Sequence, residues 1–390
     1  MARHNKSDFN GGVAVAIPVF NEVALIGRCL QGLAQQTFVE PFEVVLLLNN
    51  CSDGTETVVH RLAPELPFRL HIHDYWLEPS LVNAGIARRM AMQHAASFVR
   101  PDGVLFTTDA DSVVPSNWIA ASLAHIKAGC DAVAGRTQMD PVDEARLPAH
   151  LGAEEACVMT YASLLDEIDF HLDPSSYDPW PRHTEHSGAS IAVRAACHGE
   201  VGGIPNIASG EDREFFQRLR KIDCKIRHAP EIVVTVSGRL VGRATGGMAD
   251  TMARRIHQQD IWLDEDLETA SRRAKRADLR AAIATARHQG APRDEIERLA
   301  GALRVPAGLV ENAILAPCFG AGWADIERQS PVLMRMPMLL AALPAETEKA
   351  RCLLRELRRK ASAASGPTYP DDIAALSSAG LASRLAASPE

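Results

Sequence analysis

Residues 43–50 read Glu-Val-Val-Leu-Leu-Leu-Asn-Asn, five apolar side chains in a row closed by an asparagine pair. On an extended chain successive side chains point to opposite faces, so this run is apolar on both. Such a strand must be covered above and below, which is the situation of a central strand in a parallel sheet flanked by helices. The surrounding sequence supplies the partners. "GVAVAIPVF" (12–20) reads as a strand, and from Asn21 the residues Val23, Ile26, Leu30 and Leu33 form one helical apolar stripe. "CSDGTETVVHRL" (51–62) starts a second helix with Ser52 or Asp53 as its cap, and "FRLHIHDY" (68–75) alternates as a third strand. "NAGIARRMAMQHAASFV" (83–99) is an Ala-rich helix and "GVLFTTD" (103–109) a fourth strand. Ser116 caps a helix carrying Trp118, Ile119, Leu123 and Ile126, followed by a short strand in "CDAVAGR" (130–136). Strands alternating with helices predict an α/β domain with a mostly parallel central sheet.

In open sheets of this class ligands bind beyond the carboxyl ends of the strands. That puts Pro18 to Glu22, Asn49 to Thr55 and Asp109 to Asp111 on one rim. Asp109 and Asp111 are two residues apart at a strand end, so their carboxylates face the same way. Like charges that close resist burial unless a cation or hydrogen-bond donors compensate. A hard divalent cation bridging to phosphate would do so; turn and cap roles are the other reading, and at this point both stand.

The formal net charge of −8, from 41 basic and 49 acidic residues, argues against nucleic acid as the main partner. Eight cysteines, scattered singly with no CxxC pair, suggest reduced thiols in a cytoplasm and neither a zinc framework nor a disulfide scaffold. The amino-terminal stretch has no apolar core resembling a secretory signal, and no apolar run approaches the ~20 residues of a transmembrane helix. The chain divides into an α/β domain over 12–245, a charged helical region over 246–362, and a small-residue tail over 363–390 expected to be loosely held.

In order along the chain, "VAIPVFNE" (15–22), "VVLLLNNCSDGT" (44–55), "VLFTTDADS" (104–112), "HSGASIAVR" (186–194) and "GEDREFFQRL" (210–219) resemble glycosyltransferase family 2, inverting enzymes of the GT-A fold. The resemblance implies a nucleotide-sugar donor and a hydroxyl acceptor. Pro18 and Glu22 would border the base and ribose. Asn49 and Asn50 stand where the family usually has an acidic pair for the base imide, which leaves a UDP-sugar as a preference. Arg88 falls where related enzymes place an arginine near the nucleoside; an exposed helix charge is the competing reading. "DAD" matches the DxD motif: Asp111 would ligate Mg2+ or Mn2+ and Asp109 would meet ribose or a metal-bound water. His257 lies where some relatives take a third metal ligand. Asp212 would be the general base and Glu211 its orienting partner, although both also suit a helix start. Gly188 would allow backbone to approach the sugar. "SSYDPWPRHTEH" (175–186) would form an acceptor lid, and Arg239 and Arg243 a clamp on the diphosphate.

Rival readings are a retaining GT-A transferase acting on a small phosphorylated acceptor, and a regulator using the helix-turn-helix-like segment 296–316. The latter has Ala300, Val305 and Val310 at core positions but only Glu311 as a charge on its second helix, which makes it a structural hairpin. A nucleotidyltransferase would need a Gly-rich loop after the first strand, and a glycosidase needs carboxylates flanking a bond, not side by side. The basic helix with Arg272, Arg273, Lys275, Arg276 and Arg280 reads as a solvated face, or as one attracting phosphorylated acceptors or a membrane surface. The carboxyl-terminal helices would cover the acceptor side or make a homodimer contact.

Overall fold

The structure is a computed structural model that describes residues 11–78, 81–242 and 248–365. The tail beyond 365, including nearly all of the stretch expected to be loose, and Arg243 lie outside the described residues. The first domain runs β1 (Val13–Val19), α1 (Ile26–Ala34), β2 (Glu43–Asn49), α2 (Thr55–Leu62), β3 (Arg69–Tyr75), α3 (Ala84–Ala96), β4 (Val104–Thr107), α4 (Trp118–Lys127) and β5 (Ala132–Met139). It continues through α5 (Pro141–Glu144), α6 (Ala149–Leu172), β6 (Ile191–Arg194), α7 (Ala195–Glu200), α8 (Glu211–Lys221) and β7 (Ile226–Val236). The seven strands form one sheet in the order β3-β2-β1-β4-β6-β5-β7, parallel except for β6, which runs antiparallel to β4 and β5.

The double-sided strand at 44–48 is where the sequence required it. Val44, Leu46 and Leu48 join the core under α1, α2 and α4, while Val45 and Leu47 join the core under α3 and α8. All five are fully buried. β3, by contrast, lies at the sheet edge and is only half-buried along its length.

Local details depart from the sequence reading for identifiable reasons. α1 begins at Ile26, since Leu25 and Ile26 donate to the Glu22 carbonyl in a turn, and Val23 is left exposed instead of joining the stripe. Gly54, at a φ of 92°, is the residue before α2, and Asp53 Oδ1 accepts from the Thr55 N–H. Asn117, not Ser116, precedes α4; the Ser116 carbonyl accepts from Thr37 N instead. β6, β7 and the long α6 were not anticipated: β6 is too short to show alternation and β7 is interrupted by a charged stretch, His-Ala-Pro-Glu. The 175–186 segment is a packed brace, with Asp178 and His183 buried and Asp178 held by Arg227 and His228.

Beyond the sheet lie α9 (Met248–His257), α10 (Ala270–Gln289), α11 (Arg293–Leu303), α12 (Ala307–Leu315), α13 (Phe319–Gln329) and α14 (Leu343–Ser365). The stretch between α9 and α10 is not helical, although its charged pattern suggested one continuous helix. α11 and α12 form the expected hairpin, turning at Arg304 (φ 56°), with Ala300 and Val310 buried against α10 and α13. The basic helix α10 is not a solvated face. Arg273 and Arg276 are buried and paired with Asp169 and Glu268, and Arg280 pairs with Asp173.

α6 carries the interface between the two regions, packing against α10 and α14 through Tyr161, Leu165 and Ile168. Its Asp166 is buried, accepts from Thr184 Oγ1 at 2.8 Å, and has Arg273 only at 3.8 Å. Burial outweighs Arg273 and pushes the carboxyl from 3.8 up to about 7. The folded protein therefore keeps this proton to higher pH than the unfolded chain, and its stability declines as pH rises from about 4 to about 7. Asp166→Asn is expected to flatten that decline and raise stability at pH near 8 by on the order of 1–2 kcal/mol. Denaturant midpoints across pH measure this; a variant less stable than wild type at pH near 8 would show an ionised, usefully paired Asp166.

Candidate active site

The loops after β1 and β2 are stitched to each other before any ligand is considered. Asn21, at a φ of 55°, accepts from Ser52 N through Oδ1 at 2.8 Å. The Glu22 N–H donates to Thr55 Oγ1 at 2.8 Å, and the Val23 N–H to Asp53 Oδ2 at 3.1 Å. Ser52, Asp53 and Thr55 thus serve the loop geometry. The result is a fixed rim bordering an open cleft.

Pro18, Glu22, Asn49, Arg88, Asp109, Asp111 and Arg239 line this cleft. Asn49 is buried, with no hydrogen-bond partner for Oδ1. Asn50 is turned away, because its amide makes two hydrogen bonds at 2.9 Å to the Leu77 backbone, donating to the carbonyl and accepting from the N–H. It does not line the cleft and is not placed to read a base. Small residues missed by the sequence reading, Ala84 and Ala87, admit the cleft against the start of α3.

Arg88 is the centre of the arrangement. It is buried on α3, which settles the exposed-charge reading against it. Nη2 donates to Asp109 Oδ1 at 2.7 Å and Nε to Glu211 Oε1 at 3.0 Å. Nη1 donates to Thr107 Oγ1 at 3.1 Å and to the Gly188 carbonyl at 2.9 Å. Burial disfavours the guanidinium charge, but Asp109 and Glu211 more than offset it and raise its pKa. Gly188 is small for this reason: a Cβ there would stand 2.4 Å from Arg88 Cζ. Its close approach is to Arg88, where the sequence reading had placed a sugar.

Asp212, next to Glu211, accepts from Gly188 N at 3.0 Å and from Arg213 N at 2.7 Å. Its pKa is raised, first by burial and then by Glu211, against the lowering effect of those donors. Its place at the start of α8 therefore does not leave it with a lowered pKa. On the other side, Arg239 Nη1 donates to both Glu22 oxygens, at 2.6 and 2.7 Å, and Nη2 lies 3.0 Å from Asp111 Oδ2. Burial pushes the Asp111 carboxyl from 3.8 up to about 7; Asp109 and Glu22 add to this and Arg239 opposes it.

Two partly buried carboxylates side by side offer the oxygen ligands that a hard divalent cation takes. Asp111 and Asp109 fit that role. His257 is not brought to them; it lines a separate depression with His150, Leu151 and Glu154.

Residues 14–197 match the family model for Glycosyl transferase family 2. They form a glycosyl transferase family 2 domain. The matched range stops short of Glu211 and Asp212, which Arg88 and Gly188 tie back to it. No curated protein matches the sequence. Among solved structures, TarS from S. aureus is 15% identical, with a TM-score of 0.41 over 81% of this chain and 55% of that one. This chain thus spans little more than half of TarS. The mannosyltransferase PcManGT from Pyrobaculum calidifontis, solved with GDP-Man and Mn2+, is 17% identical, with a TM-score of 0.42 over 97% of this chain and 81% of that one. Glucosyl-3-phosphoglycerate synthase from Mycobacterium tuberculosis, solved with Mg2+ and UDP, is 14% identical, with a TM-score of 0.35 over 65% and 83%.

Removing Arg88 leaves Asp109 and Glu211 unpaired around a buried space. Arg88→Ala is expected to cost about 3–5 kcal/mol of stability, the usual penalty for breaking a buried ion pair from one side. Gly188→Ala, which displaces the guanidinium without deleting it, should cost less but reduce transfer. Urea unfolding measures both, and an Arg88→Ala loss under about 1 kcal/mol would show that the network does not hold the two motifs.

Proposed function

We propose that this protein is a glycosyltransferase that moves a sugar from a nucleotide-diphosphate donor, a UDP-sugar by preference, to an acceptor hydroxyl with inversion at the anomeric carbon. The observation that carries the reading is the buried Arg88 joining Asp109 of the first carboxylate motif to Glu211 of the second. Two motifs a hundred residues apart in the chain thereby meet at one guanidinium.

In this reading Asp212 accepts the proton of the acceptor hydroxyl as that oxygen bonds to the anomeric carbon. The bond from that carbon to the diphosphate oxygen breaks in the same step, and the nucleoside diphosphate leaves with the electron pair. Burial makes Asp212 a stronger base than a solvated carboxylate, and its two backbone donors fix its direction. Glu211 is held by Arg88 and orients the start of α8. Mg2+ or Mn2+ held by Asp111, with Asp109 beside it, would neutralise charge on the departing diphosphate. Arg239 would shift from Glu22 and Asp111 to phosphate oxygens, for which a guanidinium is well shaped. Asn49 Oδ1 has a free acceptor position for a base imide N–H. All eight cysteines are free, which fits a reducing cytoplasm.

Calorimetric binding of UDP, GDP, ADP and dTDP, with and without Mn2+, tests the donor site. One nucleotide is expected to bind in a metal-dependent way, and Asp111→Ala to abolish the metal dependence; no binding by any of them would reject the site. Asp212→Asn should lower transfer by about 10²–10⁴-fold with nucleotide affinity unchanged. Equal loss of binding and transfer would remove Asp212 from the role of base.

A further inference from the structure

The rim of the sheet opposite the cleft carries a second group of ligating side chains. Asp131 directly precedes β5, Cys197 lies in α7 after β6, and Cys224 lies in the turn between α8 and β7. Among the described residues, the carboxylate oxygen and the two sulfurs lie within 4.8 Å of one another. We propose that Asp131, Cys197 and Cys224 form a binding site for a thiophilic divalent metal ion of the zinc type, separate from the donor site and fastening α8 to the sheet.

The donor set selects the metal class. Two thiolates and one carboxylate suit Zn2+, whereas Mg2+ and Ca2+ take oxygen ligands. Ligand atoms around tetrahedral zinc stand roughly 3.5 Å apart, from bonds of about 2.0–2.3 Å, so the observed spacing closes with small side-chain rotations. Three protein ligands leave one position for water, and the half-buried Cys197 gives access to it.

The surroundings orient the ligands as outer-sphere groups do. Asp131 Oδ2 accepts from the Lys225 N–H at 2.9 Å, which fixes the carboxylate and leaves Oδ1 directed elsewhere. Arg194 Nε stands 3.7 Å from that Oδ1, and its guanidinium is itself held by the carbonyls of Ile126 and Cys130. With two thiolates, one carboxylate, a divalent ion and Arg194, the group is electrically neutral.

The placement gives the ion a consequence. Residues 198–223 lie between the two cysteines and include the loop holding Arg89, through the Gly202 and Ile204 carbonyls, and all of α8 with Glu211 and Asp212 at its start. A metal bridging Cys197, Cys224 and Asp131 would pin the far end of α8 to the starts of β5 and β7.

Cobalt(II) titration of the full-length, reduced and chelator-treated protein tests this. Sulfur-to-cobalt charge transfer in the near ultraviolet reports thiolate ligation only, so an ion at the all-oxygen donor site is silent in it. Wild type is expected to show the band, and stoichiometric zinc to abolish it. Cys197→Ser, at a half-exposed position that folding tolerates, should eliminate it, and Asp131→Asn should weaken cobalt affinity at least about tenfold. Zinc should also raise the thermal midpoint of wild type and leave that of Cys197→Ser unchanged. No band in fully reduced wild type, or one undiminished in Cys197→Ser, overturns the proposal.

Discussion

A single buried guanidinium organises the catalytic half of this molecule. Arg88 sits on the third helix with its planar head surrounded by two carboxylates, a threonine hydroxyl and a backbone carbonyl. A lysine could not make this set of contacts, because the four acceptors lie around a fork and not around a point. The network's value lies in geometry more than in stability, since a buried ion pair recovers little beyond its desolvation cost. What it achieves is a fixed relation between β4, α8 and the 187–190 turn at the rim.

The same rim is unbalanced in charge. Glu22, Asp109, Asp111, Glu211 and Asp212 converge where Arg88 and Arg239 are the cations shown facing them. The carboxyls of Asp111 and Asp212 are both shifted upward, in each case chiefly by burial. A site in this condition is receptive to further positive charge near Asp111 and to a proton at Asp212. Those are the two events a glycosyl transfer of this kind requires, one at the leaving diphosphate and one at the attacking hydroxyl. Carboxylates with such pKa values are more informative about function than the strand-end motif, which turn chemistry alone would explain.

Much of this was legible in the chain. The five apolar residues at 44–48 forced a covered sheet, and the strand-end polar clusters fell on one rim because parallel strands share a direction. What could not be read were the relations set by tertiary contact. The helical position of Arg88 is the same whether the side chain faces solvent or the core, and only the packing of α3 on β1, β2 and β4 decides it. Asn50 and Asn49 are equivalent in sequence, yet the backbone of Leu77 captures one and leaves the other in the cleft. His257 shares no element with the aspartates, so its distance from them was open until the helices were placed. β6 escaped because a four-residue strand has too few alternations to register.

The carboxyl-terminal helices gain a reason from the position of α8. Asp223, at a φ of 57° just past the end of that helix, accepts from the Phe319 and Gly320 N–H groups at 2.7 and 2.6 Å. The start of α13 thereby offers its exposed amides to a carboxylate, the favourable sense for a helix dipole. Gly320 has no room for a side chain there, since a Cβ would run into the Arg220 carbonyl. Hence α8 is gripped at both ends, by Arg88 and Gly188 near Glu211 and Asp212, and by α13 beyond Lys221. In the proposed transfer Asp212 must meet a hydroxyl to within a few tenths of an ångström, which needs a helix that cannot slide along its axis. The added helical layer provides that restraint from the side of the sheet away from the donor rim, so it can steady the base without narrowing the cleft.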